Sequence, residues 1–349
     1  METLDPQTPA QSDAETEVPP RRSRVLRVLG WTLLVLLVVL LIVPLVWPVP
    51  DVPDAVEAAD LAGPDSRFVE VGGVTYHYVR FGEGEPAVIF LHGFGASTFS
   101  WRDILPDIAE RRQVVAFDRP AFGLTERPLR GEWEGPNPYG LTAQADNTVA
   151  LMDELAIGQA VLVGHSAGGA VAVLAAARHP DRVSGLVLEA PAILAGGGTP
   201  SWIRPLLATP QARRIGPLFV RRLLSGETGE DLVRAAWADP SAVTDEVIEG
   251  YRAPLAIRDW DKALWELTIA PRPDAPDDAL DLIECPVLVV AGTEDGAVPY
   301  EDSVHVAEIL GARLATFEET GHLPHEERPE RFSTELYRFL DELEPSCPS

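Results

Sequence analysis

Short apolar segments alternate with helical stretches through most of this chain. Five of them are mainly apolar on both faces of a strand, at residues 87–91, 114–117, 160–163, 183–188 and 287–290. Strands of this kind are buried on both faces, which is typical of a parallel sheet covered by helices on both sides. The pattern therefore predicts an α/β fold. A β-hairpin precedes it at residues 68–79, where apolar and polar residues alternate around a Gly-Gly turn.

The chain has 349 residues, enough for one large α/β domain with appendages. Its strand–helix rhythm breaks at about residues 193–277, which are helical in pattern and rich in Pro, Trp and Arg, and we interpret this interval as an inserted helical cap. The predicted organisation is a disordered cytoplasmic tail (1–28), a transmembrane helix (29–47), a linker (48–66), the first part of the α/β core (67–192), the cap (193–277), the second part of the core (278–343) and a tail (344–349).

Residues 29–47 are almost wholly apolar and match the roughly 20 residues that cross a bilayer. Four arginines lie within residues 21–27, and acidic residues follow the segment, so the positive-inside rule predicts a cytoplasmic N-terminus and an extracytoplasmic domain. The alternative is a cleaved signal peptide and a secreted protein. Signal peptides usually have an apolar region of about 7 to 15 residues that ends at small residues. Here Trp47-Pro48-Val49-Pro50 follows, which favours an uncleaved anchor.

The charge balance limits the possible partners. Asp and Glu number 54 against 28 Lys and Arg, a formal net charge of -26, which argues against nucleic acid as a partner. The two cysteines imply no disulfide framework. No metal-ligand set or phosphate-binding loop occurs in the sequence, so we expect no metal ion and no cofactor. The oligomeric state, and whether the acidic surface reflects a salty habitat, stay open.

Ser166 stands in the sequence Gly164-His165-Ser166-Ala167-Gly168, after the strand at 160–163 and before an Ala-rich helix at 169–178. A serine in a sharp turn between a strand and a helix is the setting of a catalytic nucleophile. The glycines let the backbone turn tightly, and the helix N-terminus favours a developing negative charge. The pattern predicts Ser166 as the nucleophile.

A serine nucleophile needs a base and an acid that orients the base. His322 follows a short strand at 312–317 and precedes the last helix, which makes it the predicted base. Asp295, in the turn after the strand at 287–290, is the predicted acid. The alternatives that the residues leave open are His325 for the base, and Glu294 and Glu189 for the acid.

An oxyanion hole is the fourth requirement of this chemistry. The turn His92-Gly93-Phe94-Gly95 ends the strand at 87–91, and its glycines leave the backbone N–H of Phe94 free to point at a substrate. The N–H of Ala167 is the expected second donor.

With these residues assembled, the chain resembles the α/β-hydrolase superfamily over about residues 67–343. The matching motifs are His92-Gly93-Phe94-Gly95, residues 118–123, Gly164-His165-Ser166-Ala167-Gly168, residues 292–299, and Gly321-His322 with Glu327 and Pro329. The resemblance implies an eight-stranded, mostly parallel sheet with helices on both faces and a cap after the sixth strand. It supports Asp295 over Glu294, because Gly292, Asp295 and Pro299 fall where relatives carry glycine, acid and proline. Haloalkane dehalogenases and epoxide hydrolases of this fold use aspartate as nucleophile, so Ser166 argues against both.

Membrane-anchored monoacylglycerol lipases and related esterases look similar in having one N-terminal helix before a capped hydrolase. The predicted function is therefore a membrane-anchored serine hydrolase that cleaves a small hydrophobic carboxylic ester through an acyl-enzyme. The cap residues that we expect at an apolar acyl pocket are Trp202, Trp237, Trp260 and Trp265.

Three other functions remain open. Hydrolases that cleave carbon–carbon bonds in ring-fission products are similar around residues 92–101, although many of them follow the catalytic histidine with tryptophan, where this chain has Leu323. A cofactor-free perhydrolase would use the same triad. A non-catalytic ligand-binding protein is the third alternative, since fold does not imply function.

Overall fold

A computed structural model of the protein describes residues 21–194, 199–271 and 275–343. The chain divides into an N-terminal unit that ends at Pro48 and a C-terminal unit that begins at Val49. Residues 1–20 of the predicted N-terminal tail, and the whole tail predicted at residues 344–349, lie outside the described residues. The predicted core and cap both fall in the C-terminal unit.

In its described part, the N-terminal unit is helix α1, Arg21–Val46. Its segment Arg24–Val46 contains an 18-residue stretch with a mean hydropathy of 2.9 and is long enough to cross a bilayer. Residues 21–28, predicted to belong to a disordered tail, are instead helical, in keeping with the high helix propensity of arginine and leucine. A helix of this length and composition near an N-terminus serves either as a membrane anchor or as a signal sequence.

An eight-stranded sheet forms the centre of the described C-terminal unit. Its strands are β1 (Arg67–Val71), β2 (Val74–Phe81), β3 (Ala87–Leu91), β4 (Val114–Phe117), β5 (Ala160–His165), β6 (Val183–Glu189), β7 (Val287–Gly292) and β8 (Arg313–Phe317). The order across the sheet is β1-β2-β4-β3-β5-β6-β7-β8. Strand β2 pairs antiparallel with β1 and β4, and every later pair is parallel. The predicted hairpin and the predicted eight-stranded, mostly parallel sheet are confirmed.

Helices cover both faces of this sheet. In chain order, the α-helices described in this unit, those of the cap included, are α2 (Ala58–Leu61), α3 (Leu105–Ala109), α4 (Leu141–Glu154), α5 (Ala167–Arg178), α6 (Arg204–Leu207), α7 (Pro210–Leu224), α8 (Glu227–Ala235), α9 (Asp245–Arg252), α10 (Trp260–Ile269), α11 (Tyr300–Leu310), α12 (Pro324–Glu327) and α13 (Pro329–Leu343). In β3, Ile89 and Leu91 face a core covered by α4, α5 and α11, whereas Val88 and Phe90 face a core covered by α3 and α13. Burial on both faces explains why these strands are apolar throughout.

Helices α6 to α10 lie between β6 and β7, within the range predicted for the cap. Helix α10 is the most buried of them, and its Trp260 and Leu264 pack with Phe122, from the loop after β4. Helix α7 packs against α10 at Gly216, where an added Cβ would lie 2.4 Å from the ring of Trp265. The absence of a side chain at Gly216 is what lets the two helices approach this closely.

Part of the segment predicted as a free linker, residues 48–66, is bound to the cap. The N–H of Val56 donates to the carbonyl of Ala256 at 3.0 Å, and the N–H of Arg258 donates to the carbonyl of Val56 at 3.1 Å. Val52 packs against the apolar cluster around α10. The extended backbone here satisfies its polar groups by pairing with the cap rather than with water alone.

Candidate active site

Ser166 lies in the turn between β5 and α5. Its φ of 51° and ψ of -118° are values that a non-glycine residue rarely adopts. A Cβ at Gly164 would lie 2.7 Å from the Cα of Gly169, and a Cβ at Gly168 would lie 2.1 Å from the carbonyl oxygen of Leu91. Close packing therefore requires both glycines that flank the turn. Ser166 is also the N-cap of α5, where the helix dipole favours negative charge.

His322 and Asp295 form a hydrogen-bonded pair. Nδ1 of His322 lies 2.8 Å from Oδ2 of Asp295. The other carboxylate oxygen of Asp295 accepts the N–H groups of Ala297 at 2.7 Å and Val298 at 2.8 Å, which fixes its orientation. Because Nδ1 donates to the carboxylate, the neutral ring has its lone pair at Nε2. The neighbouring Glu294 is exposed, so the geometry favours Asp295 as the partner of His322.

His165 connects the turn of Ser166 to the loop of His322. Its Nε2 donates to the carbonyl oxygen of His322 at 2.9 Å, and the two rings lie 4.6 Å apart between centroids. Burial, with the neighbouring imidazoles of His322 and His325, holds the pKa of His165 well below its usual range. In the described chain, no hydrogen bond joins the hydroxyl of Ser166 to His322, so that contact stays a prediction.

Two cavities meet next to these residues, and both are walled by Phe94 and Phe122. The apolar cavity, of about 180 Å³, is lined by His322 and mainly by apolar side chains. These include Ala121, Leu224, Leu232, Val233, Leu255, Trp260, Leu264 and Leu323. The wide cavity, of about 830 Å³, is lined by Ser166 and Ala167 and also by the polar side chains of Arg119, Gln144 and Arg204.

The two predicted oxyanion donors both lie at the wall of the wide cavity. Ala167 is the first residue of α5, so its N–H belongs to the helix turn that has no intrahelical acceptor. Phe94 belongs to the turn that follows β3. In that turn an added Cβ at Gly93 would lie 2.7 Å from Nδ1 of His165. The glycine therefore lets the Phe94 turn approach the Ser166 turn.

The ring of His92 has a structural role. Its Nδ1 donates to the carbonyl of Gly93 at 2.7 Å, and its Nε2 accepts the N–H of Arg119 at 3.0 Å. Burial and the positive charge of Arg119 lower the pKa of His92 to about 3. A neutral ring with both nitrogens engaged fixes the turn that carries Phe94.

A second acid–histidine pair, which the sequence did not predict, lies beneath the first. Nδ1 of His325 is 2.9 Å from Oε1 of Glu189, and its Nε2 is 2.8 Å from the hydroxyl of Ser100. Burial opposes a charge on this ring, but Glu189 and the nearby Glu326 raise the pKa of His325 above its usual value. All four side chains are buried. The structure thus assigns Glu189 and His325 to each other, and neither contacts the triad candidates Asp295 or His322 as a partner.

The four tryptophans predicted to line an acyl pocket lie in different environments. Trp260 lines the apolar cavity. Trp202 is 79% exposed, Trp237 packs with Val243 and Val247, and the indole N–H of Trp265 donates to the carbonyl of Leu207. A pocket role therefore fits Trp260. Trp202 is exposed, and Trp237 and Trp265 pack within the cap.

Glu327 ties the loop of His322 to the cap. Its carboxylate accepts the N–H of Gly321 at 2.8 Å and the N–H of Ala238 at 3.0 Å. The N–H of His322 also donates to the carbonyl of Ala236 at 2.7 Å. The sequence identified Glu327 only as part of a motif, because one of its two backbone partners, Ala238, lies about 90 residues earlier.

In the described ranges, no group of three or more His, Cys, Asp or Glu side chains is placed to hold a metal ion. The candidate site thus consists of a serine turn, an aspartate–histidine pair and two backbone donors.

Comparisons with known proteins agree with this architecture. The model of the alpha/beta hydrolase fold family matches residues 86–329. The 2-hydroxymuconate semialdehyde hydrolase of Pseudomonas sp. (strain CF600) is 29% identical over 81% of this chain and 96% of its own length. The solved structure of a thermophilic esterase from Thermogutta terrifontis covers 80% of this chain and 100% of its own at a TM-score of 0.66 and 24% identity. That of a bacterial membrane phospholipase A covers 92% of this chain and 99% of its own, with a TM-score of 0.62 and 25% identity. This chain is a hydrolase that belongs to the alpha/beta hydrolase fold family.

Proposed function

We propose that the protein is a serine hydrolase that cleaves a hydrophobic carboxylic ester through an acyl-enzyme. The observation that carries the proposal is the Asp295–His322 pair, in which Oδ2 and Nδ1 lie 2.8 Å apart. The loop of His322 is hydrogen-bonded through His165 to the strained turn of Ser166. An acid that orients a histidine near a serine in a strand–helix turn is the arrangement that activates a hydroxyl nucleophile.

The reaction divides into two halves. His322 Nε2 removes the proton as the Ser166 hydroxyl attacks the ester carbonyl, and the N–H groups of Phe94 and Ala167 stabilise the oxyanion. His322 then gives that proton to the departing alkoxide, which leaves as an alcohol. In the second half a water molecule loses its proton to His322 and attacks the acyl-enzyme, which releases a carboxylic acid and restores the serine hydroxyl.

The cavities support a hydrophobic acyl group. The apolar cavity beside His322 is walled by Phe122, Trp260 and Leu323, and burial of an acyl chain there would be favourable by about 0.8 kcal/mol for each methylene. The wide cavity carries polar side chains, including Gln144 and Arg204, which suits the alcohol part of an ester.

A carbon–carbon bond hydrolase is the second candidate function. It is favoured by the 29% identity to 2-hydroxymuconate semialdehyde hydrolase. The wall beside His322 is mainly apolar and includes Leu323, which suits a hydrophobic acyl group. The ester reaction therefore fits the cavity better.

The proposal includes a membrane anchor, with the N-terminus in the cytoplasm and residues 49–343 on the other side. Its support is the apolar segment Arg24–Val46, the arginines on its N-terminal flank, and the similarity to a membrane phospholipase A over 92% of this chain. Carbonate-resistant membrane association and protease access to the domain in intact spheroplasts are the expected results. A full-length chain found in the soluble fraction would contradict the anchor, and a shortened soluble chain would indicate signal cleavage.

A fluorophosphonate probe tests the nucleophile. We expect covalent labelling of the wild-type protein, no labelling of Ser166→Ala, and a loss of ester turnover of at least about 10³-fold in that variant. Ser184→Ala, a serine on β6 outside the cavities, is the control that keeps its labelling. Labelling that survives in Ser166→Ala would refute the proposal.

A substrate panel separates the two candidate reactions. Esters of increasing acyl length, with one ring-fission dienoate included, are assayed under the same conditions. We expect turnover of the esters and none of the dienoate, whereas the reverse preference would establish the carbon–carbon hydrolase.

A further inference from the structure

The charge of the first part of the cap differs sharply from that of the rest of the chain. Residues 190–226 contain no Asp or Glu, although the whole chain has 54 acidic residues and a net charge of -26. The same stretch contains five arginines, at positions 204, 213, 214, 221 and 222. Two of these arginines, Arg213 and Arg221, pair with Glu266 and Asp261 of α10, whereas Arg222 is exposed. This stretch of the cap is therefore basic on an acidic protein.

Large apolar side chains are exposed on the same region. Trp202 and Leu206 are 79% and 65% exposed, and they lie four residues apart beside and within α6. On α7, Ile215, Phe219 and Leu223 are exposed at four-residue spacing, which places them on one face of the helix. We call these five side chains the outer cap face. An apolar surface of this kind usually marks an interaction site.

The opposite side of α6 belongs to the candidate active site. Ile203 and Leu207, each one residue from a member of the outer cap face, line the wide cavity together with Ser166. One short helix therefore forms the wall between the outer cap face and the space beside the nucleophile. A molecule held at the outer cap face would lie about one helix diameter, roughly 10 Å, from that cavity.

The start of the C-terminal unit is hydrogen-bonded to α7, the helix that carries Ile215, Phe219 and Leu223. Arg221 of α7 donates to the carbonyl oxygens of Pro50 at 3.1 Å and Asp51 at 2.9 Å. In the sequence, the apolar segment ends at Trp47, only three residues before Pro50. Three residues span at most about 11 Å, so the connectivity of the chain keeps the end of the apolar segment within that distance of Pro50.

We infer that the outer cap face binds the surface of a bilayer that contains anionic lipids. Phe219 and Leu206 enter the boundary between headgroups and acyl chains, and exposed arginines such as Arg222 contact lipid phosphates. Aromatic and aliphatic side chains on one helix face, with arginines on its flanks, are the composition of helices that lie in a membrane interface.

A second copy of the chain fits this face less well. A symmetric dimer through the outer cap face would bring the arginine-rich regions of both copies together, and like charges at an interface are unfavourable. A bilayer offers an apolar interior to the exposed apolar side chains and negative charge to exposed arginines such as Arg222. Delivery of a lipid ester to Ser166 from that bilayer rests on the proposed function, but the binding itself does not.

Vesicle flotation tests the binding. Residues 49–349 form a compact unit with cores of their own, so this fragment can be assayed without helix α1. We expect it to float with vesicles made of equal parts phosphatidylglycerol and phosphatidylcholine, and to bind phosphatidylcholine vesicles more weakly. The variant Leu206→Asp/Phe219→Asp should lower the partition coefficient at least about tenfold, because each apolar side chain contributes to burial in the membrane.

The matched control is Leu282→Asp/Ile309→Asp, which adds the same charge at two exposed apolar residues outside the cap and should float like the wild-type fragment. If the wild-type fragment does not float, or if both double variants lose flotation equally, the inference is wrong. A wild-type dimer in analytical ultracentrifugation that the cap variant dissociates, without flotation, would assign the face to a second copy.

Activity measurements keep this inference separate from the proposed function. In the full-length chain reconstituted in the same vesicles, the cap variant should hydrolyse a water-soluble short-chain ester at the wild-type rate. Its hydrolysis of an ester embedded in the bilayer should fall at least about fivefold, in line with weaker docking. Absence of all ester activity would refute the proposed function while flotation still decides the membrane binding.

Discussion

Asp295 is held by three hydrogen bonds, two from backbone N–H groups and one from His322. The backbone donors keep the carboxylate in one orientation, so the tautomer of His322 is set by a rigid acceptor. The same turn carries Glu294, an acid one residue away that is exposed to solvent. Two adjacent acids thus have separate roles because the turn directs their side chains differently.

An amide at residue 295 should impair catalysis without unfolding the protein. Asp295→Asn can present its NH₂ group to Nδ1, which stabilises the wrong tautomer of His322. We expect kcat to fall by roughly 10⁴-fold with little change in KM. Steady-state ester hydrolysis measures this, and Glu294→Gln is the control expected to stay near the wild-type rate. Equal losses in the two variants would show that the acid is wrongly assigned.

Local sequence patterns predicted the residues of the candidate site but not all of their partners. Ser166, Asp295 and His322 each follow a strand, and the strand-end positions were visible as the ends of apolar runs. The pair of Glu189 and His325 was not predicted, because it joins residues 136 positions apart. The residue pattern of one segment does not predict which side chains of a distant segment it will contact.

At the scale of elements, the buried charges lie between the sheet, α12 and the cap. His325 of α12 contacts Glu189 at the end of β6 and the hydroxyl of Ser100, and that hydroxyl also contacts Tyr251 of α9 in the cap. Glu326 accepts the hydroxyl protons of Ser100 and Tyr251 and also pairs with Arg102. This set of side chains links one cap helix to the core beneath the His322 loop.

The raised pKa of His325 makes part of the stability pH-dependent. The folded protein binds this proton more tightly than the unfolded chain, where the pKa is near 6.5. The stabilisation is therefore complete below pH 6.5 and is lost as the pH rises through the higher folded-state pKa. We expect the difference in unfolding free energy between the wild type and His325→Gln to shrink as the pH is raised through that range.

Urea denaturation at a series of pH values measures this difference. His305→Gln, at an exposed position of α11, is the control for the loss of an imidazole outside this buried pair. A difference for His325→Gln that stays constant, or grows with pH, would mean that the ring is neutral in the folded protein.

The strands were more predictable than the cap. The runs at 87–91 and 114–117 coincide with β3 and β4, because strands buried on both faces leave an uninterrupted apolar signal. The cap was recognisable only as a break in that rhythm. Its packing depends on contacts such as Gly216 against Trp265, which no spacing rule specifies.

For the whole molecule, the dominant feature is the excess of negative charge. At a net charge of -26, the acidic side chains repel one another in the folded protein. Salt shortens the range of that repulsion from about 10 Å at 0.1 M to about 3 Å at 1 M. We expect the thermal midpoint of the full-length chain in neutral detergent to rise with sodium chloride. Sucrose at equal osmolarity is the control, and a midpoint that falls with salt would indicate that ion pairs outweigh the repulsion.

The backbone of Ser166 has a consequence for how the protein could evolve. A non-glycine residue at such φ and ψ values costs on the order of 1–3 kcal/mol, and glycine would relieve that cost. An inactive Ser166→Gly protein should therefore be more stable than the active one. A search for heat-resistant variants would favour loss of the proposed nucleophile, so under the proposed function selection for turnover opposes selection for stability at this position.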